Sequence, residues 1–298
     1  MIIDRLVFNI VFGRQKTDDS SKPNRLLLKL MSPDFDVYRA KKLKAMAEID
    51  TYPYKSVSII TDDNLKLIGR LYRAENPGKC ALLIHGYASY GLRDHADSAL
   101  FYLKNGFSVL VADNRGCGES EGSFQSFGIF ESRDSAKWVE LLENELPGDR
   151  IIIQGCSLGG ASVCMMSEME LSENVACLVS DCSFLCAMDI MEHVVKSAIG
   201  FCPKFVDTLI RRAFKKYASA DIDDACPVRA VRYAKHPVMF VHGTEDHYIS
   251  PSCAKTLFDN CRSKKKLLYI EGAGHAASSV RDSKTYYDNV LEFFNNCL

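Results

Sequence analysis

The sequence predicts a doubly wound α/β fold: a mostly parallel, eight-stranded sheet with helices on both faces and a helical cap inserted above it. Three observations carry that prediction. Apolar runs of strand length alternate with helical patterns from about residue 55 onward, the order of a parallel sheet built from βαβ units. The later runs are continuously apolar, as in strands covered on both faces. The third is a β-branched run, Ile151-Ile152-Ile153, that breaks into G-x-S-x-G at Gly155, Ser157 and Gly159 and passes directly into a small-residue helix start.

Along the chain, residues 1–54 form an N-terminal helical extension. Its first twelve residues are apolar but carry Asp4 and Arg5 and stop at Gly13. That is too short to span a bilayer and lacks the order of a signal peptide, so a helix or strand docked on the protein body is expected in preference to membrane contact. A polar connection at 14–24 precedes a helical pattern running to about residue 48. Strands at 56–61 and 66–73, separated by Asp62-Asp63-Asn64, read as an antiparallel hairpin. Further strands are expected at 80–85, 107–112, 150–154, 175–180, 237–241 and 266–270. Helices are expected near 92–104, 129–145, 158–170, 252–261 and 281–295. The core is therefore 55–184 and 237–298. The interval 185–236 has no clear strand and exceeds the usual connection of about 2–6 residues, so it reads as a helical cap over the edge where such sheets bind ligands.

The formal net charge of −1, with 47% hydrophobic and 25% charged residues, is that of a soluble globular protein and argues against nucleic acid as a partner. Twelve cysteines contain no C-x-x-C pair, and Cys156, Cys164, Cys177, Cys182 and Cys253 lie inside apolar patterns. No zinc-type spacing is present and no metal is expected. Reduced thiols in a cytoplasm are the economical reading.

The G-x-S-x-G string has the form of a nucleophile elbow, with Ser157 at the apex of a strand-to-helix turn. A serine needs a base, and the base an orienter, in the chain order serine, acid, histidine. Among His193, His236, His242, His247 and His275, only His275 follows the last strand on a glycine-rich loop. Asp246, on the loop leaving strand 237–241, is the preferred acid, with Asp181 and Glu245 as competitors. The oxyanion would sit on the backbone N–H groups of Leu158 and of Tyr87, which follows His85-Gly86 after an earlier strand. His85 itself reads as a structural hydrogen-bonder. Phe184, Met188 and Met191, at the start of the cap, are candidates to line an acyl pocket.

Four motifs in this order, H-G-x at 85–87, D-x-R-G-x-G-x-S-x-G at 113–122, G-x-S-x-G at 155–159 and H-G-x-x-D at 242–246, with His275 after them, resemble the α/β-hydrolase superfamily over residues 55–298. Within it the chain is similar to bacterial cytosolic serine esterases of the serine aminopeptidase-like and cinnamoyl-esterase-like group. The resemblance implies a capped, cofactor-free serine hydrolase of small or medium esters, a small-molecule substrate being its partner. An amidase or peptidase using the same triad, or a non-catalytic binding protein on the same fold, are the alternatives. A homodimer is compatible with the sequence.

Overall fold

Valine, isoleucine and leucine dominate the central runs because both faces of these strands are covered. The computed structural model describes residues 2–15, 35–76 and 78–298; most of the polar connection and the start of the helical pattern after it lie outside them. The strands are β1 (Lys55–Ile60), β2 (Lys66–Tyr72), β3 (Lys79–Ile84), β4 (Ser108–Ala112), β5 (Arg150–Cys156), β6 (Val175–Asp181), β7 (Val238–Gly243) and β8 (Lys265–Ile270). They form one sheet in the order β1-β2-β4-β3-β5-β6-β7-β8. β1 and β2 make the expected antiparallel hairpin, β2 pairs antiparallel with β4, and the remaining pairs are parallel. From β3 the chain steps one way to β4 and the other way to β5, so the topological switch point lies between β3 and β5. Ligand crevices open at the carboxyl ends of strands at such a point.

One face of the sheet is packed by α2 (Phe35–Ile49), α3 (Gly91–Lys104) and α10 (Ser283–Asn295), through Ile49, Tyr102 and Phe294. The other is packed by α4 (Ile129–Glu145), α5 (Leu158–Met166) and α9 (Ser252–Asn260), through Trp138, Leu142, Val163 and Leu257. The helix expected to reach residue 170 stops at Met166, where Ser167 turns its hydroxyl back onto the Cys164 carbonyl at 2.6 Å.

Between β6 and β7 the chain forms α6 (Ala187–Ile199), α7 (Lys204–Ala218) and the short α8 (Pro227–Ala230). The buried faces of α6 and α7 close an apolar cluster with Phe127, Leu158 and Phe184. Helix α1 (Ile2–Val11) joins the same cluster through Phe8 and Phe12. Phe12 lies 4.7 Å from Phe214, ring centre to ring centre, and Asp4 accepts from Arg212 at 2.9 Å. On its other side α1 reaches the core: Phe12 O accepts from Gln125 N at 2.8 Å, and Arg14 donates to Ser120 O at 2.8 Å.

One expectation is corrected. Cys186 and Cys226, 40 residues apart, form a disulfide, while the other ten cysteines are free. The excursion returns on itself, with Ala187 N donating to Ala225 O at 2.8 Å and Val228 N to Leu185 O at 3.1 Å. That juxtaposition is tertiary, and no local spacing encodes it.

Candidate active site

Ser157 occupies φ 54°, ψ −116°, a strained conformation for a residue with a side chain, and it joins β5 to α5. The glycines flanking it are obligatory. A Cβ on Gly159 would lie 2.0 Å from Ile84 O, and one on Gly155 would lie 2.3 Å from Gly159 O. Cys156 beside it is buried, and that burial drives its thiol well above the ordinary range, so the apex of the turn is held by Ser157 and not by a reactive thiolate.

His275 Nε2 lies 3.0 Å from Ser157 Oγ, and His275 Nδ1 lies 2.8 Å from Asp246 Oδ2. Three loops are held together to achieve this. Glu245 N donates to Ala273 O at 2.9 Å and Gly272 N donates to Thr244 Oγ1 at 2.8 Å, which ties the loop after β7 to the loop after β8. Asp246 Oδ1 accepts from the amides of Tyr248 (2.9 Å) and Ile249 (2.8 Å), leaving Oδ2 for the imidazole. Burial alone would raise this carboxyl. The neighbouring His275 and His242 outweigh it and hold Asp246 below the usual carboxylate range, so it is ionised at neutral pH. With Nδ1–H directed at an ionised Asp246, His275 Nε2 is left to accept the serine proton.

The competing acids fall away. Asp181 is buried and its Oδ1 accepts from Ser278 Oγ at 2.9 Å; burial pushes its carboxyl up to about 6. Glu245 is exposed and pairs with His247 at 3.5 Å. His193 and His247 are exposed, and His236 is held apart after α8. His85 is structural, as expected: Asn114 N donates to its Nε2 at 2.9 Å, so its Nδ1 carries the proton toward Gly86 O at 2.7 Å. His242 does more than end a strand. It is fully buried, with Nε2 at 2.9 Å from Ile249 O and 3.1 Å from Asp246 Oδ2.

The loop after β3 lies directly against the elbow, since a Cβ on Gly86 would meet Ser157 Cβ at 3.4 Å. Gly86 N donates to Asp94 Oδ2 at 2.9 Å and Ala88 N to Gln125 Oε1 at 2.8 Å, tethering both neighbours of Tyr87. The Tyr87 ring stacks on Phe127 at 5.3 Å and its hydroxyl donates to Val11 O at 2.8 Å. Leu158 is the first residue of α5, where backbone N–H groups have no intrahelical acceptor. Phe184 and Met191 are buried and Met188 half-buried in the apolar cluster that also contains Leu158 and borders Tyr87.

Sequence reasoning passed over Asp94, Gln125 and Tyr248. The Tyr248 ring stands edge-on to the His275 imidazole at 4.9 Å and walls it off. The signal for Asp94 was its place in the first turn of the helix after His85-Gly86. Cys182 Sγ lies within 4.8 Å of ligand atoms of Asp246 and His275. Its thiol is held protonated by burial, and the other two groups are bonded to each other, so the trio does not compose a metal site.

A mostly parallel sheet of this order, with a serine on a strand-to-helix elbow and a histidine and acid on later loops, defines an α/β-hydrolase. The family model of the prolyl oligopeptidase family matches residues 94–298, and the chain belongs to that family. The uncharacterized protein YqkD of Bacillus subtilis is 28% identical over 200 residues, 65% of this chain and 64% of YqkD, so the match spans somewhat under two thirds of that relative. The uncharacterized protein YfhR of Escherichia coli K12 is 22% identical over 255 residues, 84% of this chain and 83% of YfhR. Among solved structures, the Pyrococcus furiosus esterase Pf2001 is similar in fold, with a TM-score of 0.66 at 22% identity, covering 84% of this chain and 92% of that one. Among the described residues, no helix is long and apolar enough to cross a membrane.

Proposed function

We propose that the protein is a serine hydrolase of small-to-medium carboxylic esters, working through an acyl-enzyme on Ser157. The observation that carries the reading is the unbroken chain from Ser157 Oγ through His275 to an ionised Asp246. Ser157 Oγ attacks the ester carbonyl while its proton passes to His275 Nε2, and the Tyr87 and Leu158 amides hold the developing oxyanion. Collapse of the tetrahedral species breaks the carbonyl–alkoxy bond, and the imidazolium protonates the departing alcohol. Water then repeats the attack with His275 as base, releasing the acid and restoring the serine. Beyond the ester and one water, these steps draw on Ser157, His275, Asp246 and the two backbone amides. The 185–236 cap, through Met188 and Met191, bounds the acyl side together with Phe184 of the core. Ten free thiols speak for a cytoplasmic setting and the Cys186–Cys226 bond against it.

The match to the prolyl oligopeptidase family favours a second reading, cleavage of amide bonds by the same machinery. Fluorophosphonate labelling tests the nucleophile, with Ser157→Ala expected to lose it and Cys156→Ala to retain it. Labelling that survives Ser157→Ala would remove Ser157 from the mechanism. A chain-length series of p-nitrophenyl esters set against matched anilides tests the bond. Turnover of the anilides exceeding that of the esters would replace the ester reading with the amide one.

A further inference from the structure

Helix α1 is apolar on both of its faces, yet the protein covers only one. Phe8, Phe12 and the Asp4 carboxylate turn inward, against α7 and the apolar cluster of the cap. At 3.6 residues a turn, Ile2, Leu6, Ile10 and Ile3 fall within an arc of about 100° on the outer side. They are 85%, 57%, 65% and 60% exposed. A helix that is apolar all round belongs in apolar surroundings, and a contiguous exposed apolar stripe marks a contact surface. Among the described residues, nothing covers this one. The turn leading into α7, the helix that α1 packs against, adds Ile199, Phe201 and Phe205, each more than half exposed.

The rim of the stripe is positively charged. Asp4 accepts from Arg212 Nε at 2.9 Å and lies 3.5 Å from Lys216 Nζ. Arg5 and Lys216 both stand over the Tyr217 ring, 5.0 and 5.4 Å from its centre. Around Asp4 and Tyr217 there are thus three cations for one carboxylate, and Arg5, Arg212 and Lys216 all reach solvent. Lys204 and Lys215 of α7 are exposed as well. The one carboxylate of that helix, Asp207, pairs with Arg211 at 3.1 Å, and Arg211 also meets Asp223. Together α1 and α7 carry six cationic side chains against two anionic ones, in a chain whose net charge is −1.

We propose that the outer face of α1 docks on an anionic phospholipid surface, its aliphatic side chains entering the headgroup region and Arg5, Arg212 and Lys216 meeting the lipid phosphates. The helix lies on the bilayer and does not cross it: ten residues extend about 15 Å, against about 30 Å of hydrocarbon. The sequence set docking on the protein body against membrane contact; the two faces of α1 allow both. A second copy of the chain is a poorer occupant. Four aliphatic side chains fall short of the roughly 20–30 residues each partner brings to a stable interface, and a symmetric pair would set the same cations against one another. With lipid as the occupant, α1 stands between the bilayer and the loop of Tyr87, whose hydroxyl donates to Val11 O at 2.8 Å.

Vesicle flotation of the full chain tests the proposal, using phosphatidylcholine vesicles with and without phosphatidylglycerol. The parent should float with the phosphatidylglycerol vesicles, and bind less well to pure phosphatidylcholine or at high salt. Replacing two aliphatic anchors, Ile3→Ser with Ile10→Ser, should weaken binding at least about tenfold. Arg5→Gln should cost roughly fivefold on the anionic vesicles and little on the neutral ones. Circular dichroism checks folding, and if the double variant does not fold, Arg5→Gln alone must show its loss. Binding is read without substrate, so the outcome is independent of the hydrolase reading. A parent that stays out of the anionic vesicles, or a folded double variant that binds them as the parent does, would overturn the proposal. So would a parent dimer in sedimentation velocity that the double variant breaks, which would give this face to a second copy.

Discussion

Replacing Asp246 by asparagine is nearly isosteric, yet the contacts of this carboxylate make the outcome severe. Oδ1 accepts two backbone amides, from Tyr248 and Ile249, and only an oxygen can stand there. The asparagine must therefore turn its carbonyl to those amides and its NH₂ to the Oδ2 position, 2.8 Å from His275 Nδ1. An NH₂ in that place donates, so Nδ1 has to accept and the imidazole proton moves to Nε2. Nε2–H then faces Ser157 Oγ and has no lone pair to take its proton. The corresponding change in a serine protease costs about 10⁴ in kcat, equivalent to about 5.5 kcal/mol of barrier. His242 does not relieve the frustration, since its Nε2 lies 2.9 Å from Ile249 O and is committed there. Stopped-flow acylation by p-nitrophenyl acetate, with folding checked by circular dichroism, reads the effect directly. A folded Asp246→Asn enzyme slowed less than about tenfold, or one faster than Asp181→Asn, would refute the assignment of the orienting acid.

Further outcomes follow from the same structure. Thiol titration in denaturant without reductant should count ten of the twelve cysteines, and the full set only after reduction; a full count without reductant would exclude the Cys186–Cys226 bond. Asp181 has a folded-state pKa raised to about 6 from an ordinary value near 3.8. The native state thus holds a proton that the unfolded chain has released between those values, and stability falls as pH rises across that window by about 3 kcal/mol from this group. Urea titrations should show Asp181→Asn gaining on the parent by that order from pH 4 to pH 6.5; parallel curves would contradict the raised pKa. Met188→Ala should shift the preferred acyl length upward, at about 1–3 kcal/mol of discrimination per methylene, with Ser157 labelling unchanged. An unaltered chain-length profile would place specificity outside the cap.

The strands were legible because their apolar runs are governed by burial on both faces, and β1 to β8 begin and end within two residues of the sequence reading. The order of Ser157, Asp246 and His275 was legible for a related reason: each sits just past a strand end, and those ends share one edge of the sheet. The contacts of α1 with α7 were not legible, since Asp4 and Arg212 are joined only by tertiary packing. The disulfide escaped for the same reason, its 40-residue separation matching no local rule.

The contacts of α1 also bear on how the enzyme is handled. This helix bridges α7, through Asp4 and Phe12, and the core, through Arg14 and the Tyr87 hydroxyl on Val11 O. It is a splint across a seam: α7 has no rigid-body path away from the sheet that spares both sets of bonds. Substitutions in α1 are therefore expected to be felt at α7 and at the Tyr87 loop alike.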